Sequence, residues 1–160
     1  MSVSQACRKF FESRKSLILG TLSDEGVLET SATPFVVIEE GELAIFVSEL
    51  SAHTQNLLHS TGLVSGLLVA DESETPEMFA RERISLQLQV SHIGQDDAER
   101  DRILDLFSQR FGEVVDVLRG LPDFHCFKLK VAQGRYIQGF GSAHAFEGCP
   151  CRDMKGIKGR

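Results

Sequence analysis

Gly134-Arg135-Tyr136-Ile137-Gln138-Gly139-Phe140-Gly141-Ser142-Ala143-His144 is the stretch on which the reading of this chain turns. Its glycines bracket an aromatic pair, and the histidine at its end stands just before Cys149 and Cys151. A glycine–aromatic–glycine step makes a poor strand interior, because each glycine forgoes side-chain packing and adds backbone entropy to be lost on folding. Such a step predicts close approach to the backbone, by a planar ligand or by another subunit.

Outward from this stretch the chain reads as strands. Phe124–Val131 and Arg135–Phe140 are predicted as two strands around a Gln133-Gly134 turn. Arg83–Ile93 sets Ile84, Leu86, Leu88 and Val90 against Ser85, Gln87, Gln89 and Ser91, the period of a half-buried strand. Leu63–Ala70 reads as a continuous buried strand. Residues 17–22, 27–38 and 43–47, broken at Asp24-Glu25-Gly26 and Glu39-Glu40-Gly41, predict an antiparallel meander.

Helices are expected at Val3–Lys15, at Ser51–Leu58 with Ser51 as N-cap, at Asp96–Gln109 with Ile103, Leu104 and Phe107 inward, and at Glu113–Leu118. Asp71–Glu77 reads as a solvated acidic turn. About seven strands in consecutive runs, without strand–helix alternation, exclude a parallel Rossmann-type sheet. A β-barrel with helices over its openings fits this pattern, in a single domain over residues 1–146. Residues 147–160 form a tail, read as flexible.

A chain of 160 residues suits one domain with a real core. Lysine and arginine number 17 against 23 acidic residues, a formal charge of −6, so no global basic field draws nucleic acid or an anionic membrane. No apolar run nears the ~20 residues of a membrane span. Met1–Gln5 lacks a signal-peptide core, so the expectation is a cytoplasmic protein. Four cysteines are too few and too irregular for a disulfide scaffold, and Cys7 and Cys126 read as reduced, packed thiols.

Candidate chemistry gathers in three places. Ser48, Ser51, His53 and Thr54 stand at a strand-to-helix junction, where unpaired N–H groups suit a phosphate and simple capping is the alternative. Arg81 and Arg83, two residues apart, are expected on one strand face as a clamp for phosphate or propionate, or as surface ion pairs. The five histidines show no metal-ligand spacing, and His92 and His125 read as packed or solvent-facing. Cys149 and Cys151 lack a second zinc pair, so a thiolate for iron or an unstructured tail with Arg152, Lys155, Lys158 and Arg160 are the readings there.

Taken together, residues 51–57 (SAHTQNL), 79–84 (FARERI), 110–113 (RFGE), 123–124 (DF) and 139–143 (GFGSA) resemble, in this order, the haem-utilisation proteins of the HugZ/HutZ type. These belong to the pyridoxamine-5′-phosphate-oxidase-like, FMN-binding split-barrel group, and the resemblance spans about Phe10 to Phe146. It implies a mainly β fold with helices: a six-stranded antiparallel split β-barrel that works as a homodimer with ligand sites at the interface. It implies FMN or, in the haem-utilisation branch, haem, and hence a flavin-dependent or haem-degrading oxidoreductase acting on a small redox substrate. A cofactor-free binding module is the third alternative.

By the same resemblance Ser16, Ser48, Ser51, His53, Thr54, Asn56 and Arg83 are cofactor-binding candidates; Arg81 joins them from the arginine pair and Phe140 from the glycine–aromatic segment. Asp123 corresponds to the acid that orients an axial histidine in relatives. That histidine lies in a C-terminal extension there, whereas residues 148–158 here contain none. His144 and Cys149 are therefore the candidate haem ligands.

Overall fold

The computed structural model describes residues 1–60 and 62–159, so Arg160 of the expected basic tail lies outside the described residues. Helix α1 (Val3–Ser13) begins in a reciprocal cap: Ser2 Oγ accepts from Gln5 N (3.2 Å) while Ser2 N donates to Gln5 Oε1 (2.8 Å). Strands β1 (Ser16–Leu22) and β2 (Leu28–Pro34) form the expected hairpin, in register from Ser16–Pro34 to Leu22–Leu28. Phe35, fully buried, breaks the apolar run after β2, and β3 (Val36–Glu39) starts beyond it and pairs with β4 (Glu42–Ser48).

The chain continues through α2 (Ala52–His59), β5 (Leu63–Val69), β6 (Arg83–Ile93), α3 (Ala98–Phe111), α4 (Val114–Leu118), β7 (Phe124–Gly139), β8 (Ser142–Glu147) and β9 (Lys155–Gly156). Short 3-10 turns at Glu72–Glu74 and Met78–Ala80 carry the acidic loop into β6. The strands make one antiparallel sheet of nine, ordered β2-β1-β5-β6-β7-β4-β3, with β8 on β7 and β9 on β8. This is the expected split-barrel architecture, the nine strands of the described residues including β8 and β9 off the main path.

Three expectations need correction. The early strands are not a meander, because β2 and β3 end on opposite edges of the sheet. Strand β5 is not buried on both faces: Val64, Gly66 and Leu68 point inward while Leu63 and Ser65 are exposed. Gln133-Gly134 is no turn, since β7 runs unbroken for 16 residues.

Its register against β6 slips between Gln87–Gln133 and Leu88–Val131, leaving Ala132 as the extra residue of a bulge. The bulge flips the side-chain parity. Leu129 and Val131 face the core before it, and Tyr136 after it.

What comes close to Gly134 is the chain's own Phe146. A Cβ at Gly134 would stand 2.4 Å from Phe146 Cζ and 2.7 Å from Ser85 O. In Gly139-Phe140-Gly141 the strand ends at its first residue. Phe140-Gly141 is the β7–β8 turn, with Gly141 at φ +67° and Phe140 72% exposed.

The barrel interior holds Leu17, Leu19, Leu43, Ile45, Leu68, Ile84, Leu88, Phe127, Leu129 and Tyr136. Cys7, Phe10 and Phe11 of α1 and Leu57 of α2 join that core. A second core lies outside the barrel, where Ile103, Leu104 and Phe107 of α3 pack on Val36, Ala44, Phe46, Ile93 and Cys126.

The cysteine reading also changes. Cys7 is not a free thiol but is bonded to Cys151, their Cα atoms 5.5 Å apart, both buried. Cys126 is free, and burial pushes its thiol up to about 12. The segment set apart as a tail returns to the fold through that bond, through β9, and through Ile157 N donating to Ala143 O (2.7 Å).

Gly134→Ala drives a methyl into a ring and a carbonyl, so urea unfolding of this variant should show a loss of about 1–3 kcal/mol. Gly139→Ala meets nothing within 4 Å and should stay within about 0.5 kcal/mol of the parent.

Candidate functional site

The outer surface of the sheet is half covered. Helix α3 shields it over β4 and over the ends of β6 and β7 nearest Ile93 and Cys126, and it leaves the remainder bare. There the register aligns side chains in rows. Ile18, Leu67, Ser85, Arg135 and Ala145 form one row across β1, β5, β6, β7 and β8. Gly20, Ser65, Gln87, Gln133 and Glu147 form the next.

Together these rows line a groove of about 580 Å³. Its floor is kept low by small residues, since a Cβ on Gly20 would stand 2.2 Å from Ser65 Oγ. Leu22 and Leu63 at its margin are 55% and 53% exposed.

A second cavity, about 480 Å³, adjoins the groove through Ile18 and Leu67 and is polar. Arg14, Lys15 and Ser16, where α1 runs into β1, line it together with Arg81, Asp71 and Glu74. Arg14 pairs with Glu74 at 3.5 Å and Arg81 with Glu72 at 3.9 Å, both acids being largely exposed. Exposed pairs of this kind are worth about 0–1 kcal/mol. An arriving anion can therefore replace either acid.

Arg81 and Arg83 do not clamp from one strand face. Arg81 precedes β6, its Nε donating to Ala70 O (2.7 Å), and Arg83 opens β6 with Nη1 donating to Arg81 O (2.7 Å). Arg83 thus braces the turn that presents Arg81. Phe140 stands on the turn just beyond Ile137, which is Arg83's partner on β7.

The strand–helix junction lies apart from this groove, and its side chains are engaged. Ser48 Oγ donates to Asp123 Oδ2 (3.2 Å), and Thr54 Oγ1 donates to Ser48 O (2.6 Å). Ser51 occupies the N-cap position without a side-chain cap bond. His53 Nδ1 lies 2.7 Å from Ser31 Oγ. Asn56 Nδ2 donates to Thr21 Oγ1 (3.0 Å) and Glu29 Oε2 (2.5 Å). These bonds pin α2 to the β1–β2 hairpin.

Neither candidate iron ligand lines the groove. His144 alternates with the groove-facing Ala143 and Ala145 and so takes the opposite face, where its Nδ1 is buried without a hydrogen-bond partner. Cys149 packs against Gly41. Among the described residues, no histidine, cysteine, methionine or tyrosine lines either cavity.

Sequence reasoning missed one polar cluster. His92 Nε2 lies 3.1 Å from His125 Nδ1, and His125 Nε2 lies 2.5 Å from Glu49 Oε1. The partners come from three strand ends, so no local spacing could have shown them. Burial, then the neighbouring His125 and Arg100, hold His92 below the ordinary histidine range.

The fold and the site define a class: an antiparallel split barrel with a bare sheet face that ends in a corner lined by Arg14, Lys15 and Arg81. The pyridoxamine 5′-phosphate oxidase family model matches residues 3–138. The chain belongs to that family, in the branch related to haem-utilisation proteins.

Among curated proteins it is 33% identical over 141 residues to the haem oxygenase HutZ of Vibrio cholerae, covering 88% of this chain and 79% of HutZ. The crystal structure of HutZ, there called a haem storage protein, superposes with a TM-score of 0.76 at 30% identity, over 82% of this chain and 91% of that one. Campylobacter jejuni ChuZ superposes with a TM-score of 0.84 at 28% identity, over 99% of this chain but 65% of ChuZ.

Burial holds His53 below its ordinary 6.5, so the unfolded chain binds a proton there that the native chain refuses. That stability is present above pH 6.5 and is lost as pH falls below it. Thermal melts should therefore drop between pH 7 and 5, with a smaller drop in His53→Gln. Asn56→Ala should cost about 1–3 kcal/mol in the same assay, because it strands buried partners.

Proposed function

We propose that this protein binds haem on the bare half of its sheet, as a homodimer, and serves haem utilisation. The observation that carries the reading is the cationic corner of Arg14, Lys15 and Arg81 beside Ser16, opening onto an uncovered, small-residue sheet face. The relatives named for haem support it over a flavin, whose phosphate would suit the same corner.

The residues fit the carboxylate edge and the flat face of haem. Arg14 and Arg81 exchange Glu74 and Glu72 for the propionates, and Ser16 offers a hydroxyl. Arg83, by holding the Arg81 carbonyl, fixes the reach of that guanidinium. Haem, when bound, supplies a redox-active iron.

Among the described residues the lining offers no side chain for an axial position, and Asp123 accepts from Ser48 rather than orienting a histidine. Binding and transfer of haem is the activity that the chain's own residues support. The second subunit covers Leu22, Leu63, Ile18 and Leu67 and excludes water from the groove.

Titration of haem into the purified chain should give a saturable Soret change. Arg81→Glu should weaken it about tenfold, equivalent to ~1.4 kcal/mol. Quenching of FMN fluorescence with no Soret response would instead establish the flavin reading. Sedimentation should show a dimer that Ser65→Arg, set in the middle of the bare face, shifts to monomer.

A further inference from the structure

The Cys7–Cys151 bond is buried, its two residues 0% and 2% exposed, so dissolved thiols cannot reach it directly. Cys149, two residues before Cys151, is a free and half-buried thiol. One turn holds both, Arg152 N donating to Cys149 O (3.4 Å). We propose that Cys149-Pro150-Cys151 and Cys7 form an internal thiol–disulfide exchange site, with Cys149 as the entry thiol for glutathione-type partners.

The segment around this site is held under backbone constraint. Gly148, Cys151 and Asp153 take φ +69°, +65° and +45°, and the latter two are the only non-glycine residues in the left-handed region among the described residues. That region is disfavoured for residues with a Cβ. Besides the disulfide, the segment is fixed by Arg152 Nε on Glu40 Oε1 (2.6 Å) and by β9. Its Pro150 and Cys151 close over a cavity of about 410 Å³ against Arg8, Phe11, Val37 and Gly41. Cutting the tie to Cys7 leaves the turn free to relax and opens that cavity.

The exchange balances within the chain. The Cys149 thiolate, its proton lost to solvent, attacks Cys151 Sγ. A Cys149–Cys151 bond forms, the Cys7–Cys151 bond breaks, and Cys7 departs as a thiolate that takes up a proton. No net oxidation occurs. Two equivalents of glutathione then reduce the Cys149–Cys151 bond, reached from the half-buried Cys149 side, to two thiols and leave as glutathione disulfide.

Tryptic peptides separate the species. Cys7 lies in Met1–Arg8, whereas Cys149 and Cys151 share Tyr136–Arg152. The full-length chain is equilibrated across glutathione redox ratios at pH 6 to 9, trapped with a maleimide, digested and weighed. The expected result is a cross-linked pair of peptides exchanging with free Met1–Arg8 plus an internally bridged Tyr136–Arg152, faster at higher pH.

In Cys149→Ser only the cross-linked form should precede full reduction, and glutathione should reduce it at least about tenfold more slowly. Cys7→Ser should form the internal bridge readily, showing that the turn accepts it. Wild-type reduction rates in Cys149→Ser overturn the proposal. So does a wild-type map in which Cys149 is labelled while Cys7 is never released, or in which Cys7 is always free. Matching thermal melts of the folded variants keep these outcomes readable.

Discussion

The change of side-chain parity at Ala132 is the constraint on which the molecule depends. Strand β7 is the longest element and bonds to β4, β6 and β8. Without the extra residue, every side chain beyond it would swap faces, since strands alternate with a period of two. Tyr136 would leave the core and Arg135 would enter it. With the bulge, Phe127, Leu129, Val131 and Tyr136 all serve one interior, while Cys126 meets α3 and Arg135 joins the open groove.

Much of the secondary structure is legible in the sequence because local periodicity reports local burial. The alternation of Arg83–Ile93 is one case, and the inward Ile103, Leu104 and Phe107 another. What escapes is non-local. Glycine in a strand announces close approach without naming what approaches, and at Gly134 the visitor is Phe146, twelve residues on. Phe35 looks like part of an apolar run yet ends a strand, because its burial pulls the chain inward. The pairing of β2 and β3 with opposite edges follows from sheet order, which no local pattern encodes.

The site was legible in part, for a related reason. Ser16 and Arg81 line one cavity, whereas Arg83 does not and meets Arg81 only through its backbone carbonyl. The junction at Ser48–Asn56 has the residue types of a phosphate cradle, but each side chain except that of Ser51 is bonded within the fold. Residue type alone does not distinguish a group that is offered from one that is already engaged. Burial and hydrogen bonding make that distinction, and here they favour the uncovered sheet over the junction as the proposed binding surface.

The bond between Cys7 and Cys151 also changes what kind of polymer this chain is. With a sequence separation of 144 between its ends, it closes the barrel and its helices into a covalent circle. In the chain-entropy model a ring of that size stabilises the native state by roughly 5 kcal/mol, by restricting the unfolded ensemble. A circle has no privileged starting point. A single nick at the exposed Asp24-Glu25-Gly26 turn would leave one connected molecule, with both hairpin strands still tethered to the barrel through opposite arcs of the ring. Such a chain tolerates new ends where a linear one would shed a piece, and it does so only while the ring is closed.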